Sequence, residues 1–141
     1  MRLNFFVRVA DNAGVMGESM RTHSMARGTI VIDENLENLS EHLAEKNIKI
    51  IRIPKGTSDY SILNTYLSGR IFITANTKDF IRDISSIEFG LISADNLKQI
   101  PPKDLAKIIS DAIIDFSLWS KRAFLLVLHK NKKHEFKDYP V

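Results

Sequence analysis

The chain contains no cysteine. That single absence excludes disulfide staples, thiolate zinc sites and cysteine nucleophiles, and it fits a reducing compartment. Long apolar runs are missing too, since nothing approaches the roughly 20 residues a membrane-spanning helix needs. The opening stretch MRLNFFVRVADNAG carries an apolar patch, but Arg8 and Asp11 interrupt it too early for a signal-peptide core. There is no Gly-rich phosphate loop, internal repeat or low-complexity tract. His23, His42, His129 and His134 show no ligand spacing. These absences lead to the expectation of a cytoplasmic protein without membrane contact.

Charge of one sign is also scarce, with a formal net charge of +3. The excess is C-terminal: residues 119–141 hold six Lys/Arg against two Asp/Glu, and residues 1–118 hold the remaining fourteen against fifteen. Lys130, Lys132 and Lys133 cluster there. Such a patch can meet phosphates, although a solvated hairpin tip has the same composition.

What is present is an ordinary globular composition, 44% apolar and 26% charged over 141 residues, enough for one full core. Residues 1–28 lack clear periodicity beyond a short strand pattern at residues 3–9, and are read as an N-terminal appendage. From Thr29 the pattern becomes regular. TIVI at 29–32 suits a buried parallel strand. Leu36, Leu39, Leu43 and Ala44 follow at helical spacing, with Asp33 or Asn35 as cap and Asn47 as terminator. IKIIRI at 48–53 reads as a second strand, broken by Pro54-Lys55-Gly56. Ser58 and Asp59 open a helix carrying Ile62, Leu63, Tyr66 and Leu67, which Gly69 ends. RIFIT and FGLIS are the third and fourth strands, with a short helix from Asp79-Phe80 between them. Pro101-Pro102 launches an amphipathic helix with Leu105, Ile108, Ile109, Ala112, Ile113 and Phe116 on one face. RAFLLVLH and HEFKDYP form a terminal β-hairpin. The expected fold class is α/β, with a mainly parallel sheet and right-handed crossovers.

Acids punctuate the strand ends. Asp33 and Glu34 follow strand one, Asp59 the turn after strand two, and Asp79 the loop after strand three, with Asn76 beside it. In open parallel sheets ligands bind outside the carboxyl ends of the strands. Carboxylates converging there can hold Mg²⁺ or Mn²⁺, hard cations that take oxygen ligands. Each acid is equally well placed to cap a helix, which stabilises by about 1 kcal/mol without any metal. Spacing alone leaves both readings open.

IVIDENL, SDYSIL and RIFITANTKDF, in that order, resemble the PIN-like domains, the fold of VapC-type toxin ribonucleases; the Asp-Glu-Asn-Leu form marks a compact subgroup. The resemblance covers residues 29–141, including the IISDAI helix and a terminal hairpin ending at Pro140. It implies a three-layer α/β/α PIN-like domain over 29–141 with a C-terminal β-hairpin. It implies Asp33 as the central metal ligand, with Asp59 and Asp79 as the further catalytic and metal-binding acids. Thr74, Asn76 and Glu34 would orient the site. The implied activity is an Mg²⁺- or Mn²⁺-dependent endoribonuclease, the toxin of a toxin–antitoxin pair, with RNA as substrate, an antitoxin protein as partner and a homodimer as assembly. Lys55, Arg70, Lys130, Lys132 and Lys133 are the expected RNA-contacting cations. Asn76 stands where many members carry an acid, which points to the alternative of a catalytically weak or inactive module that binds RNA or a partner protein.

A receiver-like reading, drawn from Asp33, Thr74 and Lys78, is disfavoured because Thr74 and Lys78 share one loop. His42, between Glu41 and Glu45, reads as a solvated surface histidine. His129 and His134 could pair across the hairpin, and Trp119 reads as core or interface.

Overall fold

The computed structural model describes residues 28–139. Residues 1–27 of the 1–28 appendage, with its strand pattern at 3–9, and Pro140 lie outside them.

The apolar runs become strands at the expected places: β1 (Thr29–Ile32), β2 (Lys49–Arg52), β3 (Ile71–Thr74), β4 (Gly90–Ser93), β5 (Phe124–Val127) and β6 (Glu135–Asp138). They form one six-stranded sheet in the order β2-β1-β3-β4-β5-β6. β1 to β5 are parallel, and β6 closes the sheet as the antiparallel arm of the terminal hairpin. The central strands β3 and β4 are buried throughout, whereas β2 exposes Lys49 and Arg52 at its two ends, as charged edge strands do.

Four helices cover the sheet: α1 (Ser40–Ala44), α2 (Asp59–Ser61), α3 (Ile84–Ile87) and α4 (Pro102–Asp115). α1 is preceded by a 3₁₀ segment, Glu34–Leu39, kinked at Leu36, and α2 runs on through a wide π turn, Ile62–Tyr66. The kink changes the phase of the first helical stretch: Leu39 and Leu43 are buried as expected, but Ala44 faces solvent. Asn47 and Gly69 sit at positive φ where their helices stop.

Alternate strand residues feed two cores, one on each face. Ile30, Ile32, Ile71, Ile73, Ile92, Phe124 and Leu126 pack with Leu39 and Leu43 near α1 and with Leu105, Ile109, Ala112 and Ile113 of α4. Val31, Phe72 and Leu91 pack on the opposite face with Ile62, Leu67, Phe80, Ile84 and Phe89. Helices therefore lie on both faces of the sheet.

One connection departs from expectation. α1 and α4 share a face, yet the chain steps towards the β2 edge through α1 and towards the β6 edge through α4. Those crossovers have opposite hands. The connections through α2 and α3 run over the other face and share the hand of α1, so β4–α4–β5 breaks the uniform handedness expected of such sheets. On that face the long apolar stripe of α4 packs with the short α1 over one continuous core.

Candidate functional site

The strand order sets the location. From β1 the chain goes out to β2 at one edge and returns to β3 on the other side of β1. The carboxyl ends of β1 and β3 thus flank the switch point, where open α/β sheets leave a crevice. Asp33 follows β1 and Thr74 ends β3.

These two residues are joined. Thr74 is fully buried and Asp33 is 8% exposed. The Thr74 hydroxyl donates to Asp33 Oδ2 at 2.6 Å and accepts from the Asn76 backbone N–H at 3.0 Å. With one proton to give, the hydroxyl has its direction fixed by those two bonds. Asp33 Oδ1 accepts from Glu34 N at 2.8 Å, which caps the 3₁₀ segment. Asp33 is therefore a helix cap through one oxygen and the hydrogen-bond partner of the neighbouring strand end through the other.

The other expected acids surround it. Asn76 Nδ2 donates to Asp79 Oδ2, so amide and acid of the β3 loop engage each other. Asp79 ends a short 3₁₀ turn, Thr77–Asp79, rather than opening a helix. Asp59 is the first residue of α2, behind the Ser58 cap. Asp59 is exposed, and slight desolvation first, then the charges of Asp79 and Asp33, raise its carboxyl above the ordinary value. The three acids share one electrostatic neighbourhood. Glu34 reaches across to the β2 loop, where its Oε1 accepts from Gly56 N at 3.0 Å.

Asp95 completes the rim and was not expected. It follows β4, and its carboxylate accepts from Thr77 Oγ1 at 2.8 Å and from Thr77 N at 3.3 Å. The signal was available: FGLISAD ends on an acid as IVID does.

Of the expected cations, Lys55 is exposed in the β2 loop, on the same edge as Asp33. Lys130, Lys132 and Lys133 occupy the exposed turn after β5. Arg70 is a correction. It precedes β3, at the amino ends of the strands, and its guanidinium donates to the Tyr66 carbonyl at 2.9 Å. A charged residue flanking a strand gives no indication of which end faces the site. His42 also differs from expectation: it is half-buried, and its Nδ1 is enclosed without a hydrogen-bond partner. His129 and His134 do meet, through a bond from His129 N to His134 Nδ1 at 2.9 Å, and His129 Nε2 lies 2.7 Å from Glu135 Oε2.

The donor set suits a hard cation in type: carboxylates and an amide, all oxygen ligands. Among the described residues no group of three or more His, Asp or Glu side chains is placed to hold an ion together. A cleft of about 950 Å³ beside α1 and β2 and another of about 540 Å³ between α4 and the hairpin turn are lined by none of Asp33, Asp59 or Asp79. No protein-family model matches the chain, and the comparisons with curated proteins and with solved structures likewise returned no match.

Proposed function

We propose that the protein is a PIN-like, metal-dependent endoribonuclease and the toxin half of a toxin–antitoxin pair. The observation that carries this reading is the Asp33–Thr74–Asn76 chain at the β1/β3 switch point. It fixes one carboxylate where the topology opens a crevice and sets the loop of a second acid, Asp79, beside it. The ordered motifs IVIDENL, SDYSIL and ITANTKDF, together with a mostly parallel sheet covered on both faces, support the PIN-like assignment.

In this reading Asp33, Asp59 and Asp79 would hold Mg²⁺ or Mn²⁺, which supplies charge neutralisation at a phosphodiester and an acidified water. The chain's own part is positioning. Thr74 orients Asp33, Asn76 orients Asp79, and Glu34 holds the β2 loop that carries Asp59. Lys55 and the hairpin lysines extend the same edge with positive charge for the RNA backbone. An antitoxin protein and a second copy of the chain are the partners this reading brings with it.

The test is cleavage of a mixed RNA pool with Mn²⁺ or Mg²⁺, alongside Mn²⁺ binding by calorimetry. Wild-type protein is expected to bind and cleave, and Asp33→Asn to lose both. Metal-dependent cleavage that survives Asp33→Asn overturns the assignment. One observation favours a second reading, a non-catalytic module that binds RNA or a partner protein: the Asn76 amide already occupies an oxygen of Asp79. RNA binding without cleavage in either metal selects it.

A further inference from the structure

Tyr60 follows Asp59 in the first turn of α2, and it is 76% exposed. Every other Phe, Tyr or Trp ring among the described residues is buried or half-buried. A lone exposed ring is ordinary on a protein surface. This one differs in the backbone that carries it. Gly56 N donates to Glu34 Oε1 at 3.0 Å, and Thr57 Oγ1 donates to the Pro54 carbonyl at 2.6 Å. Ser61 N donates to Ser58 Oγ at 3.1 Å, and Asn64 Nδ2 donates to the Tyr60 carbonyl at 2.8 Å. The loop and the first turn are thus bonded from both sides, although residues 54–56 and 58–60 are all exposed.

Side chains in a helix lean towards its N-terminus. For α2 that end is the acidic rim. Within six residues the segment presents a cation (Lys55), an acid (Asp59) and an aromatic face (Tyr60). Phosphate, cation and base are the three parts of a nucleotide complex that those groups answer.

We propose that Tyr60 is a stacking platform for one unpaired base of the RNA, adjacent to the acidic site. The proposal rests on the ribonuclease reading for its ligand and adds a residue that would grip it, through a base face that an unpaired strand leaves open. In a duplex the base faces are covered by their neighbours, so the ring has nothing to stack on. The platform is sequence-tolerant, because every base has a π-face. The fixed loop keeps the ordering cost of binding small.

The test is fluorescence anisotropy with a short unstructured oligoribonucleotide and with the same strand annealed to its complement, in Ca²⁺ so that binding is read apart from cleavage. Tyr60→Ala is expected to weaken single-strand binding about ten- to hundred-fold and leave duplex binding unchanged. Tyr60→Phe, which keeps the ring, should stay within about threefold of wild type. Circular dichroism checks that both variants are folded. Unchanged single-strand binding in Tyr60→Ala overturns the platform and leaves the ribonuclease reading standing. Weakened binding in that variant, with wild-type protein that cleaves in neither metal, supports the platform and refutes the ribonuclease. Wild-type protein that binds no RNA overturns both.

Discussion

Thr74 Oγ1 lies 2.6 Å from Asp33 Oδ2, and both residues are buried at the switch point of the sheet. The bond links the ends of β1 and β3, 41 residues apart in sequence, and Asn76 N closes the other side of the same hydroxyl. A threonine at the end of a strand would serve as β-former alone, but here its oxygen sets the direction of a carboxylate.

Thr74→Val keeps the shape and removes the donor, leaving a buried carboxylate oxygen and the Asn76 N–H short of a partner. The expected loss of stability is about 1–3 kcal/mol by urea unfolding, with Thr74→Ser costing much less. Mn²⁺ affinity should fall in Thr74→Val and be largely restored in Thr74→Ser. Equal stability of the valine variant and wild type would show that the hydroxyl does not support Asp33.

Asp59 carries the second prediction. Slight desolvation and the charges of Asp79 and Asp33 raise its pKa above 3.8. The folded state therefore binds the proton more tightly than the unfolded state, and stability declines as pH rises through the interval between 3.8 and the raised value. Above that interval the repulsion is fully present. Asp59→Asn is expected to raise the melting temperature at neutral pH. The gain should shrink at high salt and vanish below the ordinary Asp range. Added Mn²⁺ should stabilise wild type more than the variant, by linkage. A gain that persists at low pH would mean that the amide acts through something other than charge.

Much of the sheet was legible from the chain. Continuous apolar runs such as IFIT and GLIS fill central strands because both faces are covered, and Pro102, Asn47 and Gly69 mark helix ends through fixed backbone preferences. The candidate site was legible where an acid follows a strand at once, as Asp33 does. What eluded local reading depends on neighbours in space. Arg70 flanks a strand at its amino end, and only the strand direction in the sheet shows that. The hand of the β4–α4–β5 connection depends on which face α4 covers, and only the packed sheet shows that. Gly90 reads as an ordinary strand residue, yet the Phe124 ring, its partner on β5, occupies the space a Cβ would need. Asp95 bonds a loop that it meets only through β3–β4 pairing.

The hairpin contributes a pH dependence of the opposite sign. Burial, His129 and Lys132 lower the pKa of His134 below 6.5, against a smaller opposing effect of Asp115. Its Nδ1 accepts from His129 N, a bond that requires that nitrogen to be unprotonated. The folded state disfavours the proton, so this contribution is complete above pH 6.5 and is lost as pH falls through the lowered value. In an NMR titration His134 should titrate below 6.5, with the His129 amide shifting in step. His134→Gln should flatten the acid limb of the stability profile. A His134 that titrates at or above 6.5 contradicts this account.

Asp95 offers the most direct test of how the β3 loop is held. Its carboxylate takes both the hydroxyl and the backbone N–H of Thr77, a residue only 8% exposed, and Thr77 stands between Asn76 and Asp79. Asp95→Ala leaves both Thr77 donors without that acceptor, at a cost of about 1–3 kcal/mol. The effect should be local. Hydrogen exchange at the Thr77 and Phe80 amides is expected to quicken, while Ile73 and Ile92, in the paired strands, keep their protection. Asp95→Asn retains an oxygen acceptor and should recover most of the protection, so the pair of variants separates a hydrogen-bonding role from a charge role. Mn²⁺ affinity should follow the loop, weakened in the alanine variant and near wild type in the asparagine one. Loss of affinity in Asp95→Asn with the Thr77 amide still protected would instead make Asp95 a ligand in its own right, a fourth acid of the site.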